Sequence, residues 1–344
     1  MPGQQAASAH AARSYLKGLV RSVNRRVQGR AAVGADGSRQ QHPPRGRVQA
    51  IHTSVLDGRT LNLCIALPMN VQFDDVLLGF VSETEERILP LEICSDGTGT
   101  QATGTVILAL DSVATPENAF SVLGSVPVFK LPVGRWRLQL LATPPDGRRE
   151  RFDVAATSTV EREGPMVSDP PCPVTGARFR MEATGDGRAV LKVLEPEPRA
   201  HTTSIELTWT RVVVSGRIVG QSKLRPGFTV AEMTCRGTGA VHREPVDLLK
   251  GRFSLVLPVA RLVDSSPGLE QIWDVRLTDI GAALGTKSGL RVGNWLNDVR
   301  DPKAVFRTPH RLFIAEEDKT VRVHPYYTPA GSLAISCELI ETDD

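Results

Sequence analysis

The stretch that decides the fold reads LPVGRWRLQL and spans residues 131–140. After its Pro-x-Gly turn, Trp136, Leu138 and Leu140 alternate with polar residues, and side chains that alternate in this way line one face of a β-strand. The same order returns later, where a Pro-Gly pair precedes an alternating run that begins at Trp273. Both tryptophans stand in register with apolar positions, so the pattern predicts that Trp136 and Trp273 lie buried in a core.

Alternation of apolar and polar residues continues along most of the chain, and glycine-containing turns such as Asp57-Gly58 and Asp146-Gly147 separate the runs. This combination is typical of strands joined by hairpins. The clearest further runs lie at 61–67, 106–110, 205–209, 253–257 and 333–339. Long helical patterns are absent from this part of the sequence, which therefore predicts an all-β fold.

The sequence also repeats itself. Residues 177–193 align without a gap on residues 321–337, so that Thr184 meets Thr328 and Gly187 meets Gly331. Three other short motifs, one of which contains Trp136 in the first half and Trp273 in the second, recur in the same order in both halves. We therefore predict two tandem immunoglobulin/fibronectin-like β-sandwich repeats, at residues 47–198 and 199–344, preceded by a short basic helix and a flexible linker at residues 1–46.

Residues 11–30 have the spacing of an amphipathic helix with a basic face. That face carries Arg13, Lys17, Arg21, Arg25, Arg26 and Arg30. Such a helix suits the surface of an anionic membrane, but docking on a partner enzyme and a disordered basic tail remain open. With no secretory signal in the sequence, we expect a cytoplasmic protein, peripheral on the inner face of the membrane if the helix binds lipid.

The string from Leu131 to Leu140 resembles the beginning of strand F in immunoglobulin and fibronectin type III domains. In those domains a Pro/Gly turn leads into an aromatic residue that packs at the corner of the sandwich, usually a tyrosine. Both halves of this sequence carry tryptophan there, at Trp136 and Trp273. The resemblance implies aromatic packing at this corner but not the hydrogen bond of the tyrosine corner.

The closing hairpin, with Arg322, Tyr326-Tyr327, Thr328 and Gly331, resembles part of a second family. It is similar to the β-sandwich accessory regions of bacterial wall-polymer transferases, the glycosyltransferases and glycerophosphotransferases of the teichoic-acid type. The resemblance extends over residues 47–342. It implies a place in cell-envelope glycopolymer assembly, with a wall-polymer transferase or an anionic glycopolymer as partner. It does not imply catalysis, because the transferase domain of that family has no counterpart here.

Motifs for catalysis, metals and cofactors are missing from the sequence. There is no nucleophile elbow, P-loop, dinucleotide fingerprint, zinc-protease motif or Asp-x-Asp motif. The five cysteines are widely spaced, which favours reduced thiols over disulfides or zinc. A formal net charge of +3 gives no reason to expect a nucleic-acid partner. We therefore predict no catalytic residue, no metal and no cofactor.

Two sets of residues are candidates for ligand binding. Exposed aromatic rings are platforms for sugars, and the candidates are Trp295, in a loop found only in the second half, and the Tyr326-Tyr327 pair. Guanidinium groups bind phosphate in a bidentate manner, and four arginines flank the strand around Trp136: Arg135, Arg137, Arg148 and Arg149. If their hairpin pairs in register, this face is predicted to bind a polyphosphate-like polymer.

Three functions remain open. The first is a non-catalytic accessory or scaffold protein for cell-envelope glycopolymer synthesis, which suits tandem sandwiches without a catalytic motif. The second is a glycan-binding module, for which Trp295, Tyr326 and Tyr327 would have to share one exposed surface. The third is a diverged enzyme component associated with a glycosyltransferase, which would need an α/β region with a parallel sheet.

Overall fold

The computed structural model describes residues 46–69, 71–96, 99–112, 126–157, 169–208, 211–263, 269–284, 289–297, 299–314 and 320–340. Strands account for nearly all of the regular structure, and they form two large sheets. The predicted all-β class is therefore confirmed. The predicted basic helix, with Arg13, Lys17, Arg21, Arg25 and Arg26, lies outside the described residues.

The first sheet contains eleven strands and comes from the first half of the chain. They are β1 (Arg47–Leu56), β2 (Thr60–Ala66), β3 (Asp75–Val81), β4 (Glu86–Pro90), β5 (Glu92–Asp96), β6 (Gly99–Leu110), β7 (Val128–Leu131), β8 (Gly134–Thr143), β9 (Glu150–Ala155), β10 (Arg178–Ala183) and β11 (Ala189–Leu194).

The second sheet also contains eleven strands, and it begins five residues after β11 ends. They are β12 (Arg199–Leu207), β13 (Val212–Val219), β14 (Thr229–Cys235), β15 (Val241–Pro245), β16 (Asp247–Leu249), β17 (Arg252–Leu257), β18 (Gln271–Asp279), β19 (Leu290–Gly293), β20 (Arg311–Ile314), β21 (Thr320–Tyr327) and β22 (Leu333–Ile340). Among the described residues, helix is limited to a 3₁₀ turn at Val259–Arg261 and one α-helical turn at Pro302–Val305.

Strand β1 joins two layers within the first half. Its first residues, Arg47 to Gln49, pair in parallel with β9, whereas the part from Ala50 onward pairs in antiparallel with β2. A register shift between Ala50 and His52 marks the change, and such bulges bend a strand from one layer to another. One layer therefore holds β1, β2, β6, β5 and β7, and the other holds β4, β3, β8, β9, β11 and β10.

The second half repeats this scheme of pairing. Strand β12 pairs in parallel with β19 and in antiparallel with β13, again with a register shift, between Thr202 and Ser204. Strand β13 pairs with β17, just as β2 pairs with β6 in the first half. Strand β18 pairs with both β14 and β22, just as β8 pairs with both β3 and β11. Each half has its own hydrophobic cluster. Alternating strands have thus produced two cores along one chain.

The two tryptophans of the alternating stretches occupy matching positions. Trp136 on β8 pairs with Leu191 on β11, and Trp273 on β18 pairs with Ile335 on β22. Both side chains are 2% exposed. Each indole N–H donates to a backbone carbonyl, that of Pro132 at 3.1 Å for Trp136 and that of Leu262 at 2.8 Å for Trp273. The predicted burial of both residues is confirmed.

The aligned Thr-x-x-Gly segments also form matching turns. Between β10 and β11, Gly187 N donates to Thr184 O at 2.8 Å, and between β21 and β22 Gly331 N donates to Thr328 O at 2.8 Å. Both glycines have a left-handed backbone, with φ of 80° and 82°, which a side chain would oppose. The sequence match between residues 177–193 and 321–337 therefore reflects one hairpin with a common register.

Candidate functional site

A cleft opens where the two halves meet, within the single compact unit of residues 45–344. It has a volume of about 290 Å³. The first half contributes the start of β10 and the segment 169–171, and the second half contributes the start of β12, the loop 294–302 and the β21–β22 turn. Because its charged side chains include Arg178, Arg180, Arg199 and Arg300, we call it the arginine cleft.

Trp295 lies in the wall of the arginine cleft, but it is only 8% exposed. Its indole N–H donates to the carbonyls of Ala200 at 3.1 Å and Arg291 at 3.2 Å, and its backbone N–H donates to His201 Nδ1 at 3.2 Å. The Arg199 guanidinium lies 4.7 Å from the ring centroid, a cation–π distance. The prediction of an exposed stacking platform at Trp295 is therefore wrong, because this loop folds back onto the sheet.

The loop that carries Trp295 is held tightly against the β21–β22 turn. Asn294 N donates to Gly331 O at 2.8 Å, and the Asn297 amide donates to both oxygens of Asn294 at 2.9 Å. A Cβ at Gly293 would lie 2.2 Å from Gly331 O and 2.7 Å from the Trp295 ring. This wall of the cleft is thus fixed in place before any ligand binds.

Arg178 is the unusual group of the cleft. It is half-buried, and its guanidinium takes part in no hydrogen bond or ion pair among the described residues. Burial lowers the pKa of its guanidinium, and the positive charges of Arg199 and Arg180 lower it further against the opposing effect of Glu197 and Asp169. A charge that is partly desolvated and close to like charges is destabilising unless an anion joins it.

Two of the other three arginines of the cleft, Arg180 and Arg199, have carboxylate partners. Arg180 Nε lies 2.8 Å from Asp169 Oδ2, and Arg199 forms an ion pair with Glu197, which holds the pKa of that carboxyl below its usual range. Among the described residues of the lining, Asp169 is the only acidic one, and they include no histidine, cysteine, serine or threonine. The groups present therefore suit the binding of an anion by bidentate guanidinium contacts.

The four arginines predicted around Trp136 do not form one group. Arg135 and Arg137 are exposed on the outer face of β8, but Arg148 and Arg149 lie in the β8–β9 turn beyond the opposite end of that strand. The end of β8 lies eight residues beyond Arg135, which is a distance of roughly 26 Å at the rise per residue of a β-strand. The register of the hairpin separates the two pairs, so the prediction of one shared face is wrong for Arg148 and Arg149.

Tyr326 and Tyr327 face opposite sides of β21, as neighbours on a strand do. Tyr327 is 7% exposed and meets Phe306 edge-on, with 6.0 Å between ring centroids. Tyr326 is half-buried and stacks on His324 at 5.4 Å, and burial raises the pKa of its hydroxyl. The two tyrosines and Trp295 therefore do not form one exposed aromatic surface.

The sequence interpretation missed Arg178, Arg180, Lys192 and Arg199. One signal for the first two was available, because Arg178 and Arg180 alternate on a strand and so share a face. The predicted Thr-x-x-Gly hairpin also sets Arg180 opposite Lys192. Arg199 joins them only through the packing of the second half on the first, which local sequence does not reveal.

No metal site is found among the described residues, since no three side chains of His, Cys, Asp or Glu come together there. In the same part of the chain, no helix is long and apolar enough to cross a membrane.

No family model and no curated protein matches the chain. Among solved structures, a crystal structure of S. aureus TarS residues 217–571 is similar with 10% identity and a TM-score of 0.31, over 62% of this chain and 56% of that one. A longer TarS chain gives 11% identity, a TM-score of 0.31 and 35% coverage of its length. The plexin A4 extracellular region gives 9% identity and a TM-score of 0.19, over 87% of this chain and 39% of that one.

TarS is a teichoic-acid glycosyltransferase, so the predicted resemblance to wall-polymer transferases has a weak structural counterpart. The match spans little more than half of TarS 217–571. TM-scores this low carry no argument about function, which has to come from the site itself.

Proposed function

We propose that this protein is a non-catalytic accessory protein that binds an anionic glycopolymer in the arginine cleft. The observation that carries the proposal is Arg178, a half-buried guanidinium that has no hydrogen-bond or ion-pair partner among the described residues and lines a cleft shared with Arg180, Arg199 and Arg300. A phosphate or carboxylate group in the cleft would neutralise Arg178 and relieve its repulsion by Arg180 and Arg199.

The polymer class is supported by two further features. The side chain of Asn294 lines the same cleft, and amide groups are suitable partners for sugar hydroxyl groups. The closing hairpin, with its Thr-x-x-Gly turn, resembles the accessory regions of wall-polymer transferases, whose products are anionic glycopolymers. A place beside a transferase in envelope synthesis and a cytoplasmic location remain predictions.

The non-catalytic role is supported by the chemistry of the cleft. General acid–base or nucleophilic catalysis needs a positioned acid, base or nucleophile. Among its described residues, the cleft lining offers arginines, amides, prolines and one carboxylate, Asp169, which already pairs with Arg180. These groups can hold an anion, but they provide no pair of groups for transferring a proton to and from a substrate.

We further infer that each half is an immunoglobulin-like sandwich with an added hairpin. In that fold strands A, B, E and D form one sheet and C, F and G form the other. Strands β1, β2, β6 and β5 match the first set, and β3, β8 and β9 match the second. The hairpin of β10 and β11 extends the second layer beyond β8, and it is this extension that carries Arg178.

A glycan-binding module built on exposed aromatic rings has less support, because Trp295 and Tyr327 are buried. A diverged enzyme component also has less support, since the described residues form no α/β region with a parallel sheet.

The test is calorimetric titration of the full chain with purified teichoic acid and, as a neutral comparison, dextran. We expect binding of teichoic acid that is lost in Arg178→Gln but kept in Arg322→Gln, which removes an arginine from the matching position of the second half. Equal binding of dextran, or equal binding by Arg178→Gln, would contradict the proposal. The same protein should transfer no sugar from nucleotide-sugar donors, and turnover that a single substitution abolishes would contradict the non-catalytic role.

A further inference from the structure

A row of positive charges crosses the outer face of the first half. Arg180 on β10 pairs with Lys192 on β11, and Lys192 pairs with Arg135 on β8. These residues are direct cross-strand neighbours on strands about 4.8 Å apart, and like charges in such positions are destabilising. We call these three residues the basic row.

Few acidic groups balance this row. Glu182 alone serves both Lys192, at 3.6 Å, and Arg135, at 3.7 Å. Arg180 pairs with Asp169. Arg137 continues the charge two residues along β8 from Arg135, and its guanidinium takes part in no hydrogen bond or ion pair among the described residues.

The basic row is continuous with the arginine cleft. Arg178 and Arg180 lie two residues apart on β10 and therefore share a face. From Arg178 in the cleft, positive side chains follow one another through Arg180 and Lys192 to Arg135. A linear anion seated on Arg178 would thus meet a further cation on each successive strand.

The second half provides an internal comparison for this surface. The positions that match Arg180, Lys192 and Arg135 hold His324, Ser336 and Ile272 in the second half. His324 pairs with Ser336, and Ser336 pairs with Ile272. Packing of this hairpin on the sheet therefore does not require charged residues at the three positions. The first half places three cations at positions where its fold does not need charge, which favours a role in binding.

We infer that the ligand of the arginine cleft is a linear polyanion, which runs from Arg178 across the basic row rather than ending inside the cleft. This inference rests on the proposed function and adds the extended path to it. Nucleic acid is disfavoured, because single strands are bound with aromatic rings that stack on the bases, and the path consists of arginine and lysine side chains.

The probes are inorganic phosphate, tripolyphosphate and long-chain polyphosphate, titrated into the full chain by calorimetry at two salt concentrations. We compare the wild type with Lys192→Ser/Arg135→Gln, which weakens the row, and with Arg178→Gln, which alters the cleft. The control Arg211→Gln/Arg252→Gln removes the same number of charges from exposed positions of the second half.

Affinity is expected to rise with chain length in the wild type and in the control. The row variant should lose about tenfold in affinity for long polyphosphate, with a weaker salt dependence, and should bind phosphate as before. Arg178→Gln should lose affinity for all three probes.

Each contrary result identifies what has failed. If wild-type affinity does not rise with polyphosphate length, or if the row variant shows the same rise as the wild type, the extended path is wrong. Neither result contradicts binding of an anion in the arginine cleft. Failure to bind any of the probes at low salt overturns the proposed function as well. Oligothymidylate bound as tightly as polyphosphate of equal charge would overturn the assignment to a polymer other than nucleic acid.

Discussion

Replacement of Arg178 by glutamine is expected to stabilise the ligand-free protein. The substitution removes a half-buried charge that burial, Arg199 and Arg180 all disfavour, and it breaks no hydrogen bond or ion pair among the described residues. Since much of the guanidinium still faces solvent, screening limits the gain to about 0.5 kcal/mol. For a unit that spans residues 45–344, such a gain raises the melting temperature by about 1 °C.

Arg322→Gln is the matched control, because residue 322 occupies the same place in the second hairpin. Arg322 Nη1 lies 2.9 Å from Glu338 Oε2 on the paired strand. Loss of an exposed ion pair lowers the free energy of unfolding by about 0.2–1 kcal/mol. The two equivalent substitutions should therefore shift the melting temperature in opposite directions.

The assay is thermal unfolding followed by far-ultraviolet circular dichroism, with and without tripolyphosphate. A ligand present at a concentration of about one hundred times its Kd raises the free energy of unfolding of the protein that binds it by about 2.7 kcal/mol. The wild type and Arg322→Gln should gain this amount, and Arg178→Gln should gain little. An Arg178→Gln protein that is less stable than the wild type by about 1 kcal/mol or more would refute the reasoning, because Arg178 would then serve the fold.

Three further predictions concern the cores and the wall of the cleft. Trp136→Ala and Trp273→Ala should each cost about 3–5 kcal/mol in urea unfolding, as large aromatic deletions in cores do, and a loss below about 1 kcal/mol would contradict burial. Burial, followed by the charge of Arg217, lowers the pKa of His201 to about 4. Its folded pKa lies below the unfolded value, so its contribution to stability is present above about pH 6.5 and is lost as the pH falls through about 4. Urea unfolding across that interval should show this loss in the wild type, and His201→Gln should lack this part of the pH dependence. Gly293→Ala should cost about 1–3 kcal/mol, because the new methyl group overlaps Gly331 O and the Trp295 ring. Gly185→Ala is its control, since nothing lies within 4 Å of a Cβ there, and equal losses in the two variants would contradict the steric argument.

The strands and the matching hairpins could be predicted because their signals are local. Alternation identifies a strand with one buried face wherever the period holds, as it does around Trp136 and Trp273. A threonine and a glycine three residues apart were enough to align the two hairpins, since the left-handed backbone at Gly187 and Gly331 favours glycine.

The site could be predicted only in part, because it depends on which strands become neighbours. The expectation of a basic face held for Arg135 and Arg137, which share a strand, and failed for Arg148 and Arg149, which lie past its far end. Trp295 was misjudged because its sequence neighbours are asparagine and leucine in a loop, and nothing local reveals that Ala200 and Arg291 supply acceptors for its indole N–H.

The placement of the cleft has a consequence for the proposed binding of an anionic ligand. Only four residues separate β11 from β12, and the junction is closely packed, since a Cβ at Gly176 would lie 3.0 Å from Glu197 O and 3.6 Å from the Gly220 Cα. Arg178 comes from one half, and the Trp295 loop comes from the other. The tight junction therefore holds the arginines at fixed separations, and a binding site that is already ordered loses little entropy when its ligand arrives. Neither half alone would carry the complete cleft, which gives a physical reason for joining the two halves in one chain.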